Sequence, residues 1–117
     1  MINVSDLVGI PYKPHGRDEN GTDCFGLIWI ISFRLGKRIP DVPYKGFSPE
    51  LMSLAKQMKV KQIPELEEGC VIEMIKDGKL HLGFSLDKEN MIHCTFNEGV
   101  IVEPIGEYPI KGYWSWE

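Results

Sequence analysis

Apolar and polar positions alternate in two different ways along this chain. From Cys24 to Leu35 apolar side chains fall on almost every side, and twelve residues is long for a buried strand, so the pattern predicts a buried central helix. Gly36, Lys37 and Arg38 then read as a helix end, with cations near the negative end of the dipole. In "SPELMSLAKQM", residues 48–58, Leu51, Leu54, Ala55 and Met58 make one stripe at helical spacing. Ser48 is the expected cap there, with Pro49 and Glu50 in the first turn.

Elsewhere the runs are short. "CVIEMI" (70–75), "LHLGFSL" (80–86), "MIHCTF" (91–96) and "VIVEPI" (100–105) read as strands separated by "KDGK", "DKEN" and "NEG", all good turn chemistry. "IKGYWSW" (110–116) adds a fifth. A short helix over Val4 to Gly9, capped by Ser5, and a loop-forming stretch over residues 11–22 precede the central helix. Helices first and an antiparallel meander of about five strands afterwards predict an α+β fold.

Composition narrows the function. The 117 residues make one domain, 1–117, with a single core. A net charge of −4 without a basic cluster excludes nucleic acid as a partner. No run approaches the ~18 apolar residues of a membrane span. The N-terminal stretch lacks the pattern of a secretory signal, so synthesis in the bacterial cytoplasm without the ordinary export route is expected. Three cysteines without a CxxC pair suit neither a disulfide framework nor a zinc knuckle.

Cys24 is the candidate with chemistry. Thr22 or Asp23 is a natural N-cap, which puts Cys24 in the first turn of the central helix. There the dipole and free amides would lower the thiol pKa, and could receive an oxyanion. The competing reading is a small buried hydrophobe. Gly26, two residues on, would let another chain segment approach closely.

Two of the three histidines lie on successive predicted strands. If Asp87 to Glu89 form a three-residue loop, Leu86 opposes Asn90, Gly83 opposes His93, and His81 opposes Thr95. His81 and His93 then share a face on a diagonal, with Gly83 leaving room between them. That register sends Leu82, Phe84, Ile92, Cys94 and Phe96 to the other, apolar face. A thiol, a histidine to take its proton and a second polar group to orient that histidine make a cysteine-hydrolase triad.

Four motifs in order resemble the NlpC/P60 family of cysteine peptidases: "GIPY" (9–12), "DCFGL" (23–27), "HLGFSL" (81–86) and "MIHC" (91–94). The resemblance implies a papain-like α+β fold, no cofactor, and Cys24, His81 and His93 as nucleophile, general base and orienting residue. It places Tyr12 beside the reacting carbonyl and Asp23 on the substrate or oxyanion side. The implied reaction is hydrolysis of a D-γ-glutamyl–diamino acid bond in peptidoglycan stem peptides. "FRLGKRIPDVPY" and "GVIVEPI…IKGYW" resemble forms encoded among phage tail genes, implying delivery in a virion tail and tail proteins as partners. Phe25 replaces the serine of the family's "DCSG", and Cys70 stands where an aspartate is common. An inactive tail component, or acyl transfer to another acceptor, is the alternative function.

Simpler roles stand beside these. Cys70 and Cys94 read as core thiols, His15 as a surface residue, and Asp23 as a cap. Trp29, Trp114 and Trp116 read as core or rim aromatics. A metal held by Cys24, His81 and His93 is chemically possible, but the spacing favours a triad.

Overall fold

A computed structural model describes residues 3–117 and confirms the α+β class, with two α-helices packed against a six-stranded antiparallel sheet. The chain starts with a single 3-10 turn, Ser5–Leu7. Ser5 lies inside it rather than capping it, because Asn3 Oδ1 already accepts from Ser5 N at 3.0 Å and Ser5 Oγ at 2.7 Å. The stretch read as loop contains a miniature hairpin, β1 (Arg17–Asp18) with β2 (Gly21–Thr22). An Asx turn closes it, with Asn20 N donating to Asp18 Oδ1.

Helix α1 spans Cys24–Arg34, as its apolar run predicts, and Gly36 follows at φ +74°. Leu27, Ile28 and Ile31 are buried against Leu82, Phe84, Ile92 and Val100 of the sheet. Helix α2 spans Leu51–Met58 and lacks the expected serine cap. Ser48 Oγ instead donates to the Leu80 carbonyl at 2.9 Å. The first amide of α2 is met from the sheet: Leu51 N donates to Glu73 Oε2 at 3.1 Å, while Trp114 Nε1 donates to Glu73 Oε1 at 3.2 Å. A buried carboxylate thus supplies at long range what the local sequence leaves out.

The strands are β3 (Val60–Ile63), β4 (Val71–Lys76), β5 (Lys79–Ser85), β6 (Asn90–Thr95), β7 (Gly99–Pro104) and β8 (Ile110–Trp116). Their order is β3-β8-β4-β5-β6-β7, so only β4 to β7 form the meander. β8 returns to the far side of β4 and there pairs with β3, an element the sequence reading omits. Lys59, in a left-handed conformation at φ +59°, turns the end of α2 directly into β3.

The register of β5 and β6 matches the three-residue loop: Gly83 faces His93, Phe84 faces Ile92, and Ser85 faces Met91. Leu82, Phe84, Ile92 and Cys94 join the main core under α1. Met74 and Met91 belong to a smaller cluster with Cys70 and Ile72, which Tyr108 and Tyr113 border. Two expectations fail at the end of this ladder. Pairing stops at Gly83 and His93, so His81 does not pair with Thr95. Phe96, beyond the end of β6, is 70% exposed instead of joining the core.

Candidate active site

The gap between β5 and β6 beyond Gly83 is where the start of α1 meets the sheet. A cavity of about 300 Å³ opens there, and Tyr12, Cys24, Phe47, His81, Cys94 and Phe96 are among its lining residues. Lys76, Asp77 and Lys79 from the β4–β5 turn form its charged rim.

Cys24 occupies the first position of α1, and the helix start beneath it is tightly held. Asp23 is the N-cap, its Oδ1 accepting from Gly26 N at 2.7 Å and from Arg17 Nη1 at 3.1 Å. Its Oδ2 accepts from His15 N at 2.9 Å and from the Tyr44 hydroxyl. At 2% exposure, with four donors on its two oxygens, Asp23 is engaged entirely within the protein, and it does not line the cavity. Arg17 also bonds Asp41 and lies over the buried Phe25 ring, 5.1 Å from its centroid. Phe25 therefore packs beneath the Asp23 network, away from the cavity. Gly26 does permit a close approach: a Cβ there would fall 2.2 Å from the Gly16 carbonyl oxygen and 2.3 Å from Thr22 Oγ1.

The Cys24 thiol is 3% exposed and donates to the Phe47 carbonyl at 3.8 Å. Burial pushes it up to about 12, against the lowering that a helix start leads one to expect. The amides of Leu82 and Phe25 and the Ser48 hydroxyl favour the thiolate, but desolvation and the nearby Asp23 outweigh them. Cys94, beside it, is likewise pushed up to about 12 by burial, and its Sγ donates to the Thr22 carbonyl at 3.2 Å. Cys70 is buried in the smaller cluster, near Ser85 Oγ at 3.5 Å and away from the cavity.

His81 and His93 meet as the register requires, with His81 Nε2 2.8 Å from His93 Nδ1 and the rings nearly perpendicular. Burial pushes His81 down to about 3, with His93 and Lys76 adding to the shift. Burial also lowers His93, opposed by the carboxylate of Glu103. Thiol and imidazoles are therefore all neutral near pH 7.

Sequence reasoning misses Glu103. Its Oε1 lies 2.8 Å from His93 Nε2 and accepts from the Tyr108 hydroxyl at 3.1 Å. A signal was present: Thr95 faces Gly99 and His93 faces Ile101, which puts Glu103 on the diagonal from His93 on the same face.

Tyr12 is half-buried, forms an isolated bridge to Thr22, and stacks at a tilt on Phe96 with centroids 5.2 Å apart. Burial, with Asp23, Cys24 and Cys94 nearby, raises its phenol, which remains a donor. His15 is exposed, and its ring lies beside Tyr44. Trp114 is a core residue and Trp116 a rim residue whose Nε1 donates to the Gly69 carbonyl.

A thiol at a helix start, sharing a cavity with a histidine backed by a second histidine, is equipped for acyl transfer through a thioester. The comparisons with known proteins agree with that class. The NlpC/P60 family profile matches residues 9–116, and the chain belongs to this family, whose members are generally cysteine peptidases acting on peptidoglycan. No curated protein sequence is significantly similar to the chain.

Among solved structures, it is similar to the NlpC/p60 domain of the peptidoglycan hydrolase SagA. That match has TM-score 0.68 and 20% identity, covering 94% of this chain and 90% of that one. It is also similar to an NlpC/P60 family protein from Bacillus cereus (TM-score 0.66, 22% identity), covering 94% of this chain and 36% of that one. NlpC2 from Trichomonas vaginalis matches with TM-score 0.67 and 19% identity, over 96% and 45% of the two chains. At these identities the likeness concerns the fold.

Proposed function

We propose that this protein is a cysteine endopeptidase that cleaves an amide bond in peptidoglycan stem peptides. The observation that carries this reading is the 2.8 Å contact by which the buried His93 backs His81, which lines the same cavity as Cys24. Two lysines against one aspartate give the cavity rim a positive edge, suited to the carboxylates of a stem peptide. Cleavage between D-γ-glutamate and a diamino acid is the specific bond proposed.

In the reaction, Cys24 Sγ leaves the Phe47 carbonyl and gives its proton to His81 Nδ1 as sulfur attacks the substrate carbonyl carbon. The oxyanion is received by the Cys24 amide, unpaired by helix geometry, and by the Tyr12 hydroxyl. His81 then protonates the leaving nitrogen, the C–N bond breaks, and a thioester remains. Water, losing a proton to His81, attacks the thioester carbonyl; the C–S bond breaks, the acid departs, and His81 returns the proton to sulfur. A neutral thiol and a neutral imidazole begin this cycle, so proton transfer accompanies attack rather than preceding it. Delivery by a phage tail, with synthesis in a bacterial cytoplasm, is supported by the sequence motifs at Phe33–Tyr44 and Gly99–Trp114.

The test is mass spectrometry of synthetic L-Ala-γ-D-Glu-diamino acid peptides and purified peptidoglycan incubated with the protein. The expected result is cleavage at the γ-D-glutamyl bond, lost in Cys24→Ala. Intact peptides after incubation with folded wild-type protein would overturn the reading and favour a non-catalytic tail component.

A further inference from the structure

We propose that Glu103 is a positioning residue for the base: through His93 it fixes the tautomer of His81, so that the lone pair of His81 Nδ1 is available to the thiol. The inference rests on the reading of His81 as the base and deepens it.

Glu103, His93 and His81 form a row in which each hydrogen bond fixes the direction of the next. An ionised carboxylate can only accept, so His93 Nε2, 2.8 Å from Glu103 Oε1, must carry a hydrogen. A neutral His93 then has its lone pair on Nδ1. His81 Nε2, 2.8 Å from that atom, must donate to it. A neutral His81 is left with its lone pair on Nδ1, the nitrogen that His93 does not occupy. Reversing any one bond would put a hydrogen on His81 Nδ1 and remove the base.

The row is held as well as directed. Tyr108 O–H donates to the same Glu103 Oε1, which leaves that oxygen an acceptor and orients the carboxylate. Tyr108 also packs on His93, with ring centroids 5.8 Å apart. Other charged groups facing the pair are few. Lys76, from β4, faces both imidazoles; Asp77 faces His81, Glu98 faces His93, and Cys24 shares the cavity with His81. Among the described residues, none of these is within hydrogen-bond distance of a ring nitrogen of the pair, whereas Glu103 is.

A merely structural role for Glu103 would not affect which nitrogen carries the hydrogen. Long-range 1H–15N correlation spectra of histidine-labelled protein read that directly. In the wild type, both His81 and His93 are expected as Nε2–H tautomers. Glu103→Gln keeps an acceptor oxygen beneath His93 and is expected to preserve both. Glu103→Ala is expected to give a mixture of tautomers at His81, with the fold intact by amide spectra. On a cleavable stem peptide, kcat should fall on the order of tenfold to a hundredfold in Glu103→Ala with KM nearly unchanged, and Glu103→Gln should recover most of the loss.

A wild-type His93 in the Nδ1–H form, or tautomers indifferent to Glu103→Ala, would overturn the proposal. The spectra need no substrate. Tautomers that respond to Glu103 in a protein that cleaves no stem peptide would sustain this inference while the peptidase reading fell.

Discussion

Gly83 faces His93 across β5 and β6, and two residues earlier on β5 His81 reaches His93 on the diagonal. The absent side chain at position 83 leaves its space to the methionines that pack beside the pair. A Cβ there would meet Met74 Cε and Met91 Sδ at 3.1 Å and His93 Cβ at 3.6 Å. The histidine pair is thus a product of strand register, and register comes from a three-residue loop.

Cys24 alkylation should report a buried neutral thiol. With the thiol pushed up to about 12, the iodoacetamide rate should climb with pH through 8 to 10 without a plateau. At pH 8 it should be roughly a hundredfold or more below that of the same cysteine in urea. A plateau near neutral pH, abolished by His81→Ala, would instead reveal a preformed thiolate–imidazolium pair.

The histidine pair should make the fold acid-sensitive. Both folded-state pKa values lie below the ordinary 6.5, His81 at about 3. The unfolded chain therefore binds protons that the folded chain refuses. Stability from this source is complete above about pH 6.5 and is lost as pH falls from there toward 3. His81 contributes up to about 1.4 kcal/mol per pH unit inside that window, and the lowered His93 acts in the same direction. Urea midpoints measured from pH 7 to pH 4 should fall, and the slope should be shallower in His81→Asn.

Removing the Asp23 carboxylate should cost more than an ordinary cap. Asp23→Ala deletes the acceptor for Gly26 N and leaves the partly buried Arg17 with the exposed Asp41 as its remaining carboxylate partner. A loss of about 3 kcal/mol is expected by urea denaturation. Asp23→Asn keeps an oxygen for the helix amide and should lose less.

Gly26→Ala should also destabilise, although alanine is the better helix former. Its methyl would collide with the Gly16 carbonyl and Thr22 Oγ1, and neither is the free end of a flexible chain. The expected cost is about 1–3 kcal/mol, read as a lowered melting temperature. An unchanged or raised value would mean that the hairpin over α1 is free to shift.

What the sequence made legible was local. The helix at Cys24, the cap at Asp23, the close approach at Gly26 and the β5–β6 register all follow from spacing and turn chemistry over a few residues. What it hid depends on partners far along the chain. The return of β8 to β4, the small strand β3, and Glu73 beneath the first amide of α2 are pairings across tens of residues. The state of the thiol is hidden from the sequence for a related reason. A helix start is visible in the sequence, whereas the desolvation that outweighs it comes from the assembled walls around Cys24.

The Asp23 clasp decides what can move around the cavity. It joins the start of α1, the β1–β2 hairpin and the loop bearing Asp41 and Tyr44, so the cysteine backbone is anchored from three sides. Opposite it, the imidazoles are braced by Glu103 and Tyr108. Between two fixed bodies, rotation about the Cys24 Cα–Cβ bond is the soft coordinate, with the Phe47 carbonyl holding one of its staggered wells. The protein resembles a lock with a single moving pin, and whatever draws sulfur away from that carbonyl turns it.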